Sequence, residues 1–229
     1  MTFNLEGKTA LLVGSSGNLG PVWLEALESS GVTVLAPDLT ELDVEVPGSI
    51  ENYVRVCRTK KEIPEIIIYN AGIDNPPNST SDMWGSRRIM DVNYFGAQDV
   101  CEAFWELFKR WGGHIIFIGS IFGSVSPDHR NYPAGFDKPA MYGASKAALG
   151  ELTRHLATRG APFGIRVNML SLAAFDSGQE ETFKRKYLRS VPMQRMAQAD
   201  DYKWALIGLL MQTYMTGHEM MVDGGYTAW

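Results

Sequence analysis

Tyr142 and Lys146 stand four residues apart in Tyr142-Gly143-Ala144-Ser145-Lys146, at the start of an apolar-periodic stretch. On a helix that spacing places both side chains on one face. A free phenol has a pKa of about 10 and is a weak acid–base catalyst at neutral pH, but a fixed ammonium beside it favours the phenolate and lowers that value. The pair is therefore expected to move protons, with Lys146 supplying the cation. A second candidate is the run Gly14-Ser15-Ser16-Gly17-Asn18-Leu19-Gly20. Glycines there let the backbone turn tightly and approach a pyrophosphate, whose charge rests on the free N–H groups at a helix N-terminus. A third is Asp38, close to the ~20-residue offset at which an acidic residue holds the adenosine ribose of a dinucleotide. The alternative is that Asp38 caps a turn after Pro37. Neither 15–20 nor 38–44 contains Lys or Arg. A 2'-phosphate then has no evident partner, so NAD is expected rather than NADP.

These residues need elements to position them. Thr9 to Val13 is a short apolar run, a strand, and it leads through the glycine turn into a helical pattern carrying Trp23, Leu24 and Leu27. Pro21 suits the first helical turn, where no N–H is needed. Val32 to Ala36 reads as a second strand ending near Asp38, and a helix is expected from about Ser49 to Lys60. Pro64 breaks the pattern before the strand Ile66-Ile67-Ile68-Tyr69, which ends in Asn70-Ala71-Gly72. The segment 82–111 is helical, with an apolar face of Ile89, Val92, Phe95, Val100, Phe104, Leu107 and Phe108 that packs on either the sheet or a second subunit. Ile115 to Ile118 forms another buried strand closing on Gly119-Ser120. Strands and helices alternating in this way imply an α/β fold, a doubly wound and mostly parallel sheet with helices on both faces.

Composition narrows the class. At 229 residues and 45% hydrophobic content the chain can bury one full core, and a single domain over 1–229 is expected. The net charge of -5 is mild and the basic residues are scattered, which argues against nucleic acid or an anionic membrane surface and for small-molecule partners. Cys57 and Cys101 both fall inside helical patterns, and none of His114, His129, His155 and His218 has ligand spacing with another, so neither a disulfide framework nor a metal site is expected. The start lacks a positive segment followed by an apolar one, and no stretch is long enough to span a bilayer; a cytoplasmic location is the expectation.

Taken in order, the glycine turn, Asn70-Ala71-Gly72, Val92-Asn93, Ser120, Tyr142-xxx-Lys146, Ile165-Arg166-Val167-Asn168 and Val222-Asp223-Gly224-Gly225 resemble the short-chain dehydrogenase/reductase family. The resemblance runs from Lys8 to the end and implies a single Rossmann-fold domain of the short type. It also implies hydride transfer between a nicotinamide and a carbinol or carbonyl carbon, with a phenol passing the proton. Tyr142 would be the general acid–base, Lys146 would hold both the nicotinamide ribose and the tyrosine, and Ser120 would hold the substrate oxygen. Asn93 would hold a water behind the lysine, unless it satisfies its own helix backbone. The implied contacts to NAD are Gly14, Ser16, Gly17, Asn18, Leu19, Gly20, Asp38, Leu39, Asp43, Val44, Asn70, Ala71 and Gly72, with Tyr142, Lys146 and Ser177. The resemblance further implies a homodimer or homotetramer, joined through helix 82–111 and the helix near Tyr142.

The chain also departs from the pattern. Asn18 stands where many members carry a glycine, a spacing closer to the extended, sugar-nucleotide branch, although the ending Val222-Asp223-Gly224-Gly225 is of the short type. Leu172-Ala173 replaces the family's Pro-Gly after the sixth strand, and no helix is expected between Asp38 and Asp43. Between Ser120 and Tyr142 lies a long loop, 121–141, containing Asp128, His129, Arg130, Asn131, Tyr132, Phe136, Asp137 and Lys138. It reads either as a substrate loop for a hydroxylated or charged ligand or as a solvated loop. Arg130, Asn131 and Tyr132 are its candidate contacts, with Arg130 suited to fork onto a carboxylate or phosphate. A sugar or sugar nucleotide is the expected substrate. This loop and the ending Asp223-Gly224-Gly225-Tyr226-Thr227-Ala228-Trp229 are similar to flagellin-modification oxidoreductases of nonulosonic-acid sugar pathways. Two other readings stand beside a dehydrogenase: a nucleotide-sugar epimerase or dehydratase with held NAD, and a dinucleotide sensor without turnover.

Overall fold

The computed structural model describes residues 4–74, 83–136 and 138–229. Six parallel strands form one sheet: β1 (Thr9–Val13), β2 (Thr33–Leu35), β3 (Ile66–Tyr69), β4 (Gly113–Ser120), β5 (Ile165–Leu172) and β6 (Glu219–Val222), in the order β2-β1-β3-β4-β5-β6. The four inner strands are buried on both faces, with alternate side chains going to each. Leu11, Val13, Ile67, Tyr69, Ile115, Phe117, Val167 and Met169 face one side, where α2 (Ser49–Lys60), α4 (Gly96–Trp111) and α5 (Ala140–Gly160) cover them. Ala10, Leu12, Ile66, Ile68, Ile116, Ile118 and Leu170 face the other, under α1 (Gly20–Ser29) and α7 (Ala199–Met211). This is the doubly wound α/β sheet expected from the pattern. Among the described residues no helix is long and apolar enough to cross a membrane.

Most element bounds follow the apolar periodicity, and the exceptions have local causes. The second strand is shorter than expected, three residues, because Ala36 and Pro37 already leave the ladder. The fourth is longer, pairing along its whole length with β5. The helix expected over 82–111 is described from Met83 as α3 (Met83–Met90), a π-helical turn (Asp91–Phe95) and α4. At that wider turn the Val92 carbonyl accepts a hydrogen bond from the Tyr69 hydroxyl at 2.6 Å. Val100, Phe104 and Phe108 pack on the sheet, whereas Phe95 is half exposed. The loop after β4 ends at Pro139, with α5 already begun at Ala140, and it contains short 3-10 turns at Ile121–Gly123 and His129–Asn131. Asp137 lies outside the described residues.

Two of the motifs serve the sheet. The Asn168 amide donates to the Met215 carbonyl at 2.9 Å and accepts from the His218 N–H at 3.0 Å, tying β5 to the entry of β6. The Asp223 carboxylate accepts from the Gly225 and Thr227 N–H groups and the Thr227 hydroxyl, closing the turn that follows β6.

Candidate active site

In this strand order the chain reverses direction across the sheet between β1 and β3, and a crevice opens at the carboxyl ends of those strands. The glycine turn follows β1 and Asn70-Ala71-Gly72 follows β3, so both reach this crevice. Gly14 has φ +82°, and a Cβ there would lie 2.6 Å from the Ala71 nitrogen. At Gly20 a Cβ would lie 1.8 Å from the Ser15 carbonyl oxygen. Only glycine fits either position. Asn70 holds the turn, its amide donating to the Gly14 carbonyl at 2.7 Å and accepting from the Trp23 indole at 2.8 Å. Ser16, Gly17 and Asn18 remain exposed above the N-terminus of α1, which carries Pro21 in its first turn. Backbone close to open space at a helix N-terminus is the arrangement a pyrophosphate requires.

Asp38 sits beside this turn because the Ser15 hydroxyl donates to the Pro37 carbonyl at 3.0 Å. One of its carboxylate oxygens accepts from the Thr40 N–H at 2.7 Å and the Thr40 hydroxyl at 2.6 Å. These hydrogen bonds hold the carboxyl below its ordinary range and keep it ionised. Asp38 therefore does cap a turn, and that turn presents a negative charge at the crevice edge. Asp43 and Val44 lie half-buried further along, and Leu39 projects into solvent. No helix forms between Asp38 and Asp43.

Ser120 ends β4, and its hydroxyl accepts from the Phe122 N–H at 3.2 Å. Tyr142 and Lys146, one turn apart on α5, line the same cleft with Ser120, Gly17, Asn18, Leu19, Asn70 and Gly72. The Lys146 ammonium is 5.8 Å from the centre of the Tyr142 ring and donates to the Ile118 carbonyl at 2.8 Å. The electrostatics correct the expectation from spacing. Tyr142 is partly buried, and desolvation of its phenol pushes it up to about 12; a hydrogen bond with Ser120 opposes the rise and the Asp74 carboxylate adds to it. Lys146 is itself pressed down to about 8 by burial, against the pull of Asp74. Desolvation is the largest influence on both groups.

Asn93 neither satisfies its own helix nor points into open space. Its Oδ1 accepts from the Ile73 N–H at 2.8 Å, and its Nδ2 donates to the Ile73 carbonyl at 3.0 Å and to the Ser145 hydroxyl at 3.0 Å. It thereby clamps the segment after β3 against α5. A Cβ at Gly72 would lie 3.4 Å from the Lys146 nitrogen and 3.5 Å from Asn93 Oδ1, so the backbone passes both groups at close range.

The loop residues fall differently. Arg130 forks onto Asp128, at 2.8 and 2.9 Å, and its side chain is 90% exposed. That guanidinium is engaged with a neighbouring carboxylate rather than aimed at the cleft. Asn131 is buried in the loop's own 3-10 turn. Tyr132 stacks on Phe136 with ring centres 4.7 Å apart and meets Phe183 of α6 (Glu181–Tyr187) at 5.6 Å, which fastens the loop to that helix. Ser177 is exposed and hydrogen-bonded with Gln179, away from the residues lining the cleft. Leu172 and Ala173 do line it. Sequence reasoning missed Asp74, which lines the cleft beside Tyr142 and pairs with Lys138. Its position just past Asn70-Ala71-Gly72, at the carboxyl end of a central strand, was the available signal.

Residues 24–227 match the family model described as Enoyl-(Acyl carrier protein) reductase. Sorbose reductase of Schizosaccharomyces pombe is 30% identical, with 98% of this chain and 97% of the relative covered. A ribulose-forming D-arabinitol 2-dehydrogenase of Scheffersomyces stipitis is 28% identical over 99% of this chain and 96% of its own length. Among solved structures, a short-chain dehydrogenase from Leptospira borgpetersenii with bound NAD+ superposes with a TM-score of 0.88 at 27% identity, covering 97% of this chain and 93% of that one.

Proposed function

The chain belongs to the short-chain dehydrogenase/reductase family of oxidoreductases, and from that premise we propose that it interconverts a polyol and its ketose with NAD as hydride carrier. The observation that carries this reading is the meeting of Ser120, Tyr142 and Lys146 in one cleft that runs on to the glycine turn. A bound nicotinamide supplies the hydride acceptor or donor. The glycine turn, Asn70 to Gly72 and Asp38 would hold the dinucleotide, and their fit rests on backbone that no Cβ could share. Ser120 holds the reacting oxygen. In the reductive direction Tyr142 gives its proton to the carbonyl oxygen as the carbon gains the hydride; in the oxidative direction the phenolate takes the hydroxyl proton. Lys146 carries the positive charge that steadies this exchange. A phenol held near 12 carries its proton at neutral pH and can donate it to a carbonyl oxygen.

NAD would be preferred over NADP, because Asp38, just past β2 and tied to the glycine turn through Ser15, presents an ionised carboxylate that would repel a 2'-phosphate. The names of the relatives favour a free polyol over the nucleotide-linked or nonulosonic-acid sugars of the flagellin-modification subgroup. Phe122 to Pro127, His129, Lys138 and Pro139 line a pocket beside Tyr142 and would wall the substrate site, and α4 and α5 would form the contact faces of a homodimer or homotetramer, whose test is light scattering at micromolar concentration. The substrate reading is tested by following NADH absorbance across a panel of pentitols, hexitols and their ketoses beside hydrophobic alcohols and nucleotide sugars. Oxidation of polyols with net NADH formation is expected. Best turnover of hydrophobic alcohols would overturn it, and conversion of a nucleotide sugar without net NADH would favour an epimerase.

A further inference from the structure

Asp74, which lines the cleft, and Lys138, which lines the adjoining pocket under the long loop, meet beside Tyr142, a residue that both spaces share. Asp74 lies in the segment after β3, next to the Ile73 backbone that Asn93 clamps. Lys138 lies in the last stretch of the long loop, and Pro139 after it caps α5, two residues before the helix reaches Met141 and Tyr142. Proline restricts the residue before it to extended backbone, so Lys138 is held in fixed relation to the helix that bears the phenol. The two form an ion pair, with the Lys138 side chain only 12% exposed and that of Asp74 33%. The Lys138 nitrogen stands 5.1 Å from the centre of the Tyr142 ring. The Asp74 carboxylate lines the same space as Ser120, Tyr142 and Lys146, and its charge is felt at both Tyr142 and Lys146.

An ion pair that only fastens two surface segments is worth little, about 0–1 kcal/mol. This one lies beside Tyr142, with the Asp74 carboxylate in the same cleft as Ser120 and Lys146. The hydroxyl next to an oxidised carbinol must lose water to enter the cleft, and each such hydroxyl is both donor and acceptor. A fixed carboxylate and a fixed ammonium side by side offer one acceptor and one donor to a vicinal diol, and hydrogen bonds to charged partners are the stronger kind. We propose that Asp74 and Lys138 together are the specificity-determining pair for the substrate's neighbouring hydroxyls, Asp74 accepting from one and Lys138 donating to the next. This assignment rests on the polyol reading given above. It places the site's selectivity on Lys138, 5.1 Å from the centre of the Tyr142 ring, rather than on Arg130, whose side chain is 90% exposed.

The test compares kcat/KM for a polyol with that for a simple secondary alcohol such as cyclohexanol, in the full-length wild type, Asp74→Asn, Lys138→Met and Lys138→Arg. Asp74→Asn and Lys138→Met are expected to lower the polyol value about tenfold to a hundredfold more than the cyclohexanol value, chiefly through KM, as loss of a hydrogen bond to a charged group predicts. Lys138→Arg should keep most of the discrimination. Thermal unfolding of each variant checks that the fold survives. Equal losses on both alcohols would overturn the proposal, because the pair would then act on Tyr142 or on the loop. Undiminished polyol turnover in the variants would also overturn it while leaving the polyol reading intact. If the wild type oxidises cyclohexanol and no polyol, the polyol reading itself fails, and the pair's assignment falls with it.

Discussion

The side-chain amide of Asn93 hydrogen-bonds both the N–H and the carbonyl of Ile73, at 2.8 and 3.0 Å, as a second strand would. Asn93 stands on the π-helical turn and is fully buried, and its remaining N–H reaches Ser145 on α5. One residue thus fixes Gly72, Ile73 and Asp74 against the helix of Tyr142 and Lys146. Asn93→Ala should leave two main-chain groups unpaired and destabilise the protein by about 3 kcal/mol. Urea unfolding measures this. A loss below about 1 kcal/mol would mean that Ile73 finds other partners.

Tyr142→Phe keeps the ring's packing and removes the hydroxyl. Turnover in either direction should fall ~10²- to 10⁴-fold, the usual worth of an acid–base group. NAD affinity, read by quenching of protein fluorescence, should stay within about twofold, since the glycine turn, Asn70 and Asp38 are untouched. A near-normal rate on the true substrate would remove Tyr142 from the proton path.

The sheet was legible in the sequence because buried parallel strands are written as short apolar runs, such as Ile66 to Tyr69, punctuated by turn residues. The Tyr142–Lys146 pair was legible from its helical spacing, whereas Ser120's place beside it came from the resemblance to the family. Other features depend on contacts that spacing does not report. Asp74 and Lys138 are separated by 64 residues and meet through two loops. Arg130 forks onto Asp128, two residues away, a local pairing that the loop's composition did not announce. The sign at Tyr142 went against expectation because helical spacing gives the distance to Lys146 but not the depth at which both are buried.

Cofactor choice follows from Asp38. Its carboxylate is ionised and held at the end of β2 by the Thr40 hydrogen bonds, so it can accept from a ribose hydroxyl and repels a 2'-phosphate. The specificity constant for NAD should exceed that for NADP by at least about tenfold, and Asp38→Ser should narrow the ratio by a similar factor, the worth of a charge-assisted hydrogen bond. Equal constants in the wild type would refute the assignment.

Ketone reduction should depend on pH through Lys146 rather than Tyr142. The phenol, at about 12, stays protonated across the working range, whereas the ammonium, at about 8, does not. Since kcat/KM reports groups of the free protein, it should be level below about pH 8 and fall above it. The Asp74 carboxylate raises the Lys146 value, so Asp74→Asn should move the break to lower pH. A profile that stays flat to pH 10 would contradict the role given to Lys146.

Lys146 also makes the protein less stable than it need be. Its ordinary value is 10.5, and burial holds it at about 8, which costs the folded chain about 3 kcal/mol at neutral pH. Below pH 8 folded and unfolded chains both carry the proton, and the cost is complete. Between about 8 and 10.5 the unfolded chain still binds the proton that the folded chain has shed, so stability rises with pH. Above 10.5 neither is charged and the cost is gone. Methionine fills similar volume without a charge, but it withdraws the donor from the Ile118 carbonyl, which takes back about 1 kcal/mol. Lys146→Met should therefore be more stable than the wild type by about 2 kcal/mol at pH 7, and the gap should close or reverse by pH 10.5. Urea unfolding of both proteins at the two pH values reads the difference directly, and other titrating groups cancel between them. A gap that is the same at both values would show that Lys146 keeps its ordinary proton affinity in the fold.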